Sequence, residues 1–298
     1  MIKKAFTLIE LILVIVILAI LSLIGTNIYT NVYKNYLTSK IVDEVEDKTQ
    51  LALDQIASRL SDRVKQATIG RKSSDTNNIV LVYDSRLEHD HDILEWIGQS
   101  TQSRNLAGAN VDSSIGWSGF LDMGIYENSK RILIGGRLPA ATEVINSVSR
   151  GKSQNLAMIF QGISTNKENG YGFRENENPD KIMVFNMPSS GAGITLVNPY
   201  AGGQISDRYQ IAHSAYAIVP ERNAAGGDNL YLYYDYRPWM GQRYSDGKKS
   251  LLIENITLFR FRGFSASGMD LKLCVNAGAQ NHGVTDNRFV VCKTKVVF

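Results

Sequence analysis

The 298 residues predict an α+β protein: one long amino-terminal helix packed on an enlarged, mostly antiparallel β-sheet head. Three observations lead to that class. Residues 11–21 are all aliphatic or Ala, a run too long for an ordinary strand. Apolar side chains then recur at three- and four-residue spacing as far as Ala67, and no Pro occurs before Pro139. Beyond Gly70 the chain breaks into short apolar or alternating stretches separated by Gly, Asn and Ser. At 44% apolar and 20% charged residues, the composition is that of a folded protein. The 32 basic and 29 acidic side chains leave a formal charge of +3, which gives no global basic field for nucleic acid. Four His and two Cys exclude a Cys-rich zinc protein and a disulfide-dense mini-scaffold.

The first element is the most informative. Lys3 and Lys4 precede an apolar stretch over 6–28, 23 residues in all. As a helix it is about 34 Å long, enough to cross a hydrocarbon core of about 30 Å. The two lysines hold the near end on the cytoplasmic side, so the bulk of the chain lies beyond the membrane. A secretory signal peptide needs a small-x-small cleavage site after the run. The available pairs, Leu23 with Gly25 or Gly25 with Asn27, are poor ones. A plain anchor accounts for the length and the lysines but not for Glu10, a carboxylate inside the run that is costly unless paired or at the interface.

Lys3-Lys4-Ala5-Phe6-Thr7-Leu8-Ile9-Glu10-Leu11, ahead of a long apolar helix, resembles the start of type IV prepilins and type II secretion pseudopilins. The resemblance implies that a prepilin peptidase cuts between Ala5 and Phe6 and methylates the new Phe6 amine. The apolar segment then stays with the mature protein. It also implies a leader (1–5), a transmembrane and filament-core helix (6–28), an amphipathic helical half (29–70) and a β-rich head (71–298). Glu10, one turn along or on a neighbouring subunit, would neutralise the Phe6 amine. Either charge alone in low dielectric is strongly penalised, so the pair acts as a register device more than as a source of stability. Two positions depart from the family pattern. Ala5 stands where Gly is usual, which is expected to slow processing without abolishing it. Asn27 stands where major pilins often carry Pro, leaving Gly25 as the soft point nearby.

The stripe of Ile41, Val45, Ala52, Ile56, Leu60 and Val64 predicts that the helix continues to about residue 69 and stops at Gly70. Strands are expected at 79–83, 130–138, 156–163, 181–187 and 216–219, with loops at 98–119 and 164–180. The clearest β signal is 229–237, which places Leu230, Leu232, Tyr234 and Tyr236 on one side and Tyr231, Tyr233 and Asp235 on the other. A hairpin to 251–264 is the simplest continuation. The stretch 251–262, with Phe259-Arg260-Phe261-Arg262, resembles the late strand of large minor pilins and minor pseudopilins. Cys274 and Cys292 are 18 positions apart and lie past the membrane, where a disulfide is the expected state. Closing that loop contributes about 3 kcal/mol in the chain-entropy model. The placement resembles the carboxyl-terminal disulfide loop of many pilins; free thiols are the alternative.

Other constellations carry less. His89-Asp90-His91-Asp92 sets two imidazoles on one side of an extended segment, but no third ligand is fixed, and a solvated acidic loop is the simpler reading. Tyr231, Tyr233, Tyr234, Tyr236 and Trp239 beside Arg237 and Arg243 would suit a stacking surface, or else core packing. Arg59, Arg63, Lys65, Arg71 and Lys72 form a local basic end to the helix. No nucleophile elbow, P-loop or dinucleotide glycine pattern is present, so no catalytic, cofactor or metal residues are expected. The expectation is a structural subunit, a minor pilin or pseudopilin acting in filament initiation or at the tip. Its expected partners are the prepilin peptidase, other pilins and the inner membrane. A major pilin, and a tip adhesin or DNA-uptake binding protein, are the alternatives.

Overall fold

The computed structural model describes residues 7–106, 115–123, 131–162, 168–191, 193–197, 205–224, 226–264, 268–277 and 289–298. Helix α1 (Leu8–Ser61) is 54 residues long, about 80 Å at the usual rise per residue. Residues 7–37 are all exposed, and burial begins in earnest at Val45. From there Val45, Ala52, Leu53, Ile56, Ala57 and Leu60 form the expected packed stripe.

The helix ends well before residue 69. Arg63–Arg71 is strand β1, a correction to the expected helical half. A spacing of Leu60, Val64 and Ala67 serves either element, and tertiary pairing decides between them. Gln99 N–H donates to the Asp62 carbonyl at 2.7 Å, and Thr101 Oγ1 donates to the Asp62 carboxylate at 3.0 Å. Arg63 turns back to donate to the Leu60 carbonyl at 2.7 Å, satisfying one of the orphan acceptors at the helix end. β1 then pairs antiparallel with β2 (Ile79–Leu81) and β3 (Ile93–Gln99), the latter a strand the sequence reading missed.

After the short α2 (Thr101–Arg104) come β4 (Arg131–Leu133) and α3 (Leu138–Ser149). α3 takes the end of the stretch expected as a strand at 130–138, with Pro139 in its first turn, where its missing N–H costs nothing. The remaining strands are β5 (Leu156–Phe160), β6 (Met183–Asn186), β7 (Gly193–Leu196), β8 (Tyr209–Arg222), β9 (Asp228–Tyr236), β10 (Lys248–Phe264), β11 (Gly268–Asn276) and β12 (Val290–Val297). They lie in the order β12-β11-β10-β9-β8-β5-β6-β7-β4, every pair antiparallel. β8 is the branch point, pairing with β9 over 215–222, with β5 over 209–212 and with β3 over 212–218.

Three apolar clusters hold this sheet. α1 packs on Leu94 and Trp96 of β3, Leu230 and Leu232 of β9, and Phe259, Phe261, Leu271 and Leu273 of β10 and β11. The opposite face buries Ile69, Ile97, Ala215, Tyr236 and Trp239 beneath Tyr171 and Phe173. The described part of 164–180, expected as a surface excursion, is therefore a cover for the sheet. α3 closes the third cluster over β5, β6 and β7.

The β9–β10 hairpin forms as expected, but Tyr236 faces the other way. Tyr233 pairs with Ala217 and Tyr236 with Ala215, three residues against two, and Asp235 takes φ +65° at the bulge. The extra residue flips every side chain beyond it.

Candidate functional site

Among the described residues, the longest continuous apolar surface that the fold does not cover is the first half of α1. Thr7 precedes the helix, and its carbonyl accepts from the N–H groups of Glu10 at 3.1 Å and Leu11 at 3.2 Å. Glu10 stands in the first turn, where the helix dipole favours a negative charge. No ion pair to it forms among the described residues, and Ala5 and Phe6 lie outside them. Around and beyond it the apolar side chains are bare: Leu8 is 78% exposed, Leu13 58%, Leu18 57% and Ile24 51%. One stretch of this helix is long and apolar enough to cross a membrane.

The helix passes straight through Gly25, whose Cβ position is open space. Thr26 and Thr30 return their hydroxyls to the carbonyls of Ser22 and Thr26, both at 2.8 Å, so these polar groups are satisfied within the helix. An apolar rod of this kind is tolerable only where lipid or other apolar helices replace water.

The other sequence candidates scatter. His89 is exposed and His91 buried, because the segment is a turn and not extended; the two imidazoles do not share a side. Glu88, Asp90 and His91 do gather, but the Lys72 ammonium already sits between the two carboxylates, 2.8 Å from Glu88 and 2.7 Å from Asp90, and offsets one of their two charges. The basic group at the expected helix end disperses. Arg63 and Arg71 are buried, Lys72 is paired, and Arg59 lies over the Tyr216 ring at 5.8 Å. The aromatic set mostly packs on the fold: Tyr233, Tyr236 and Trp239 are buried, and Tyr231 and Tyr234 are half-buried. Tyr236 donates to Glu95 at 2.9 Å, Trp239 donates to the Asn155 carbonyl at 2.9 Å, and Arg237 is spent on the carbonyls of His213, Gln154 and Lys152. Cys274 and Cys292 face each other across β11 and β12, Cα atoms 4.1 Å apart, and are disulfide-bonded. Most of the loop between them lies outside the described residues.

Two polar clusters escaped the sequence reading. Arg71 donates to Glu95 from Nε at 2.8 Å and from Nη2 at 2.6 Å, with Tyr236 closing the other carboxylate oxygen. Burial works against the Arg71 charge, but Glu95 outweighs it and holds the guanidinium above its usual pKa. His213 Nδ1 lies 3.0 Å from Ser100 Oγ, and desolvation, helped by Arg237, pulls its pKa down to about 4. Residues 24 and 113 positions apart carry no local signal for such contacts.

A family model for the prokaryotic N-terminal methylation motif matches residues 1–26. The chain carries the type IV pilin and pseudopilin signature. The signature spans Ala5, Phe6 and Glu10 and ends inside the exposed apolar half of α1, the part of the fold left without a partner. No match is found among curated proteins or solved structures. The motif implies processing by a prepilin peptidase and assembly with other pilins, and the helix fits membrane anchoring before assembly.

Proposed function

We propose that this chain is a minor subunit of a type IV pilus or of the related secretion pseudopilus, serving to start the filament or cap its tip. The observation that carries the reading is a helix exposed over 7–37 and apolar as far as Ile28, with the methylation signature at its start. It is a surface built to pass from lipid to a bundle of like helices. Cleavage between Ala5 and Phe6 creates a cation at Phe6, and Glu10 of the same or a neighbouring subunit supplies its counter-charge. The size of the head supports the minor role: among the described residues it carries twelve strands and the added helices α2 and α3, which offer a large surface for contacts. Nothing in this role calls for a catalytic residue. The membrane-held form has its head on the periplasmic side.

The test is Glu10→Ala in cells. Membrane fractions should hold the variant at the wild-type level, while sheared filaments should lack it. Incorporation at the wild-type level would overturn the charge-pairing account. Abundance comparable to the shaft protein in sheared filaments would reassign the chain as a major pilin.

A further inference from the structure

Tyr29, Tyr33 and Tyr36 stand just after the apolar run, 70%, 51% and 61% exposed. Their spacing puts them on one side of α1, the side turned away from the stripe that packs on the head. Tyr29 and Tyr33 stack, ring centroids 6.2 Å apart and planes 8° from parallel. The head offers them no cover, since burial of α1 begins only at Val45. If Ile28 marks the edge of the hydrocarbon, Tyr29 lies about 1.5 Å and Tyr33 about 7.5 Å above it. The headgroup layer is roughly 5–8 Å deep on each side. Both rings fall within it, and Lys34 follows where an ammonium meets lipid phosphate. A ring with an apolar body and a hydroxyl tip suits that layer better than water or hydrocarbon.

We propose that Tyr29 and Tyr33 form an interfacial anchor that seats the outer end of the helix in the lipid headgroups before assembly. This rests on the membrane-held reading above. The anchor fixes the depth of the subunit and holds the head clear of the bilayer on the stalk between Ile28 and Ile41.

Full-length protein in phosphatidylcholine–phosphatidylglycerol vesicles tests it, with a nitroxide on one introduced thiol. The native cysteines are tied in their disulfide and do not react. Leu18→Cys reports the bilayer centre, Val32→Cys the proposed anchor and Leu51→Cys the aqueous control. Oxygen and a nickel chelate serve as the two relaxants. The expected result at Val32 is headgroup depth, shifting outward with greater nickel accessibility when Tyr29 and Tyr33 are both replaced by Ser. Aqueous accessibility at Val32, an unchanged depth in the Ser variant, or shielding from both relaxants by a second copy would each overturn the anchor. If Leu18 is also aqueous, the membrane-held reading itself fails.

Discussion

Glu10 and Glu95 are both carboxylates among apolar side chains, but of the two only Glu95 has its counter-charge among the described residues. Glu95 is satisfied inside the chain, 1% exposed and held by Arg71 and Tyr236. Glu95→Ala would leave the Arg71 guanidinium uncompensated in the core, at a cost of about 3–5 kcal/mol. Thermal unfolding should then begin roughly 10 °C lower, while Glu95→Gln, which keeps an acceptor, should lose less. An unchanged midpoint in the Ala variant would show that water reaches the site. His213 adds a pH dependence. Its folded pKa of about 4 lies below the ordinary 6.5, so the unfolded chain takes up the proton first. Stability is therefore complete above pH 6.5, falls by at most about 3 kcal/mol on acidification to pH 4, and levels off below. His213→Gln should flatten that part of the urea-midpoint profile. For Glu10, in contrast, the proposed partner is the Phe6 amine freed by cleavage, so its replacement should appear in filaments and not in folding.

At the scale of elements, α1 is two helices in one. The half from Val45 onward is held by the head, and Leu53, fully buried, sits in the middle of that contact. Leu53→Ala should cost about 2–5 kcal/mol and open the helix–sheet seam to protease, whereas Leu51→Ala on the exposed side should do neither. Equal protease resistance in both variants would contradict this packing. The first half was readable from sequence because an unbroken aliphatic run with one acid has few physical solutions. The end of the helix was not readable. Val64 and Ala67 fit both periods, and the deciding bonds come from Gln99 and Thr101, far along the chain. Tyr236 shows the same limit within a strand, since one bulged residue at Asp235 reverses an alternation that reads cleanly in sequence. The disulfide was legible because only one pairing of two cysteines exists.

For the molecule as a whole, the described residues divide into a head built around three buried apolar clusters, with only scattered apolar side chains exposed, and a rod whose apolar groups are bare along its length. The head closes its sheet on both faces, with α1 against one and Tyr171, Phe173 and Trp239 against the other. The rod finds cover only in lipid or in like helices, and the methylation motif lies upon it. Its use as a filament subunit depends on the rod being kept when the leader is removed. Mass spectrometry of the amino-terminal peptide from mature protein tests that most directly. The account predicts a chain beginning at an N-methylated Phe6; an intact Met1, or a new terminus beyond Gly25, would contradict it.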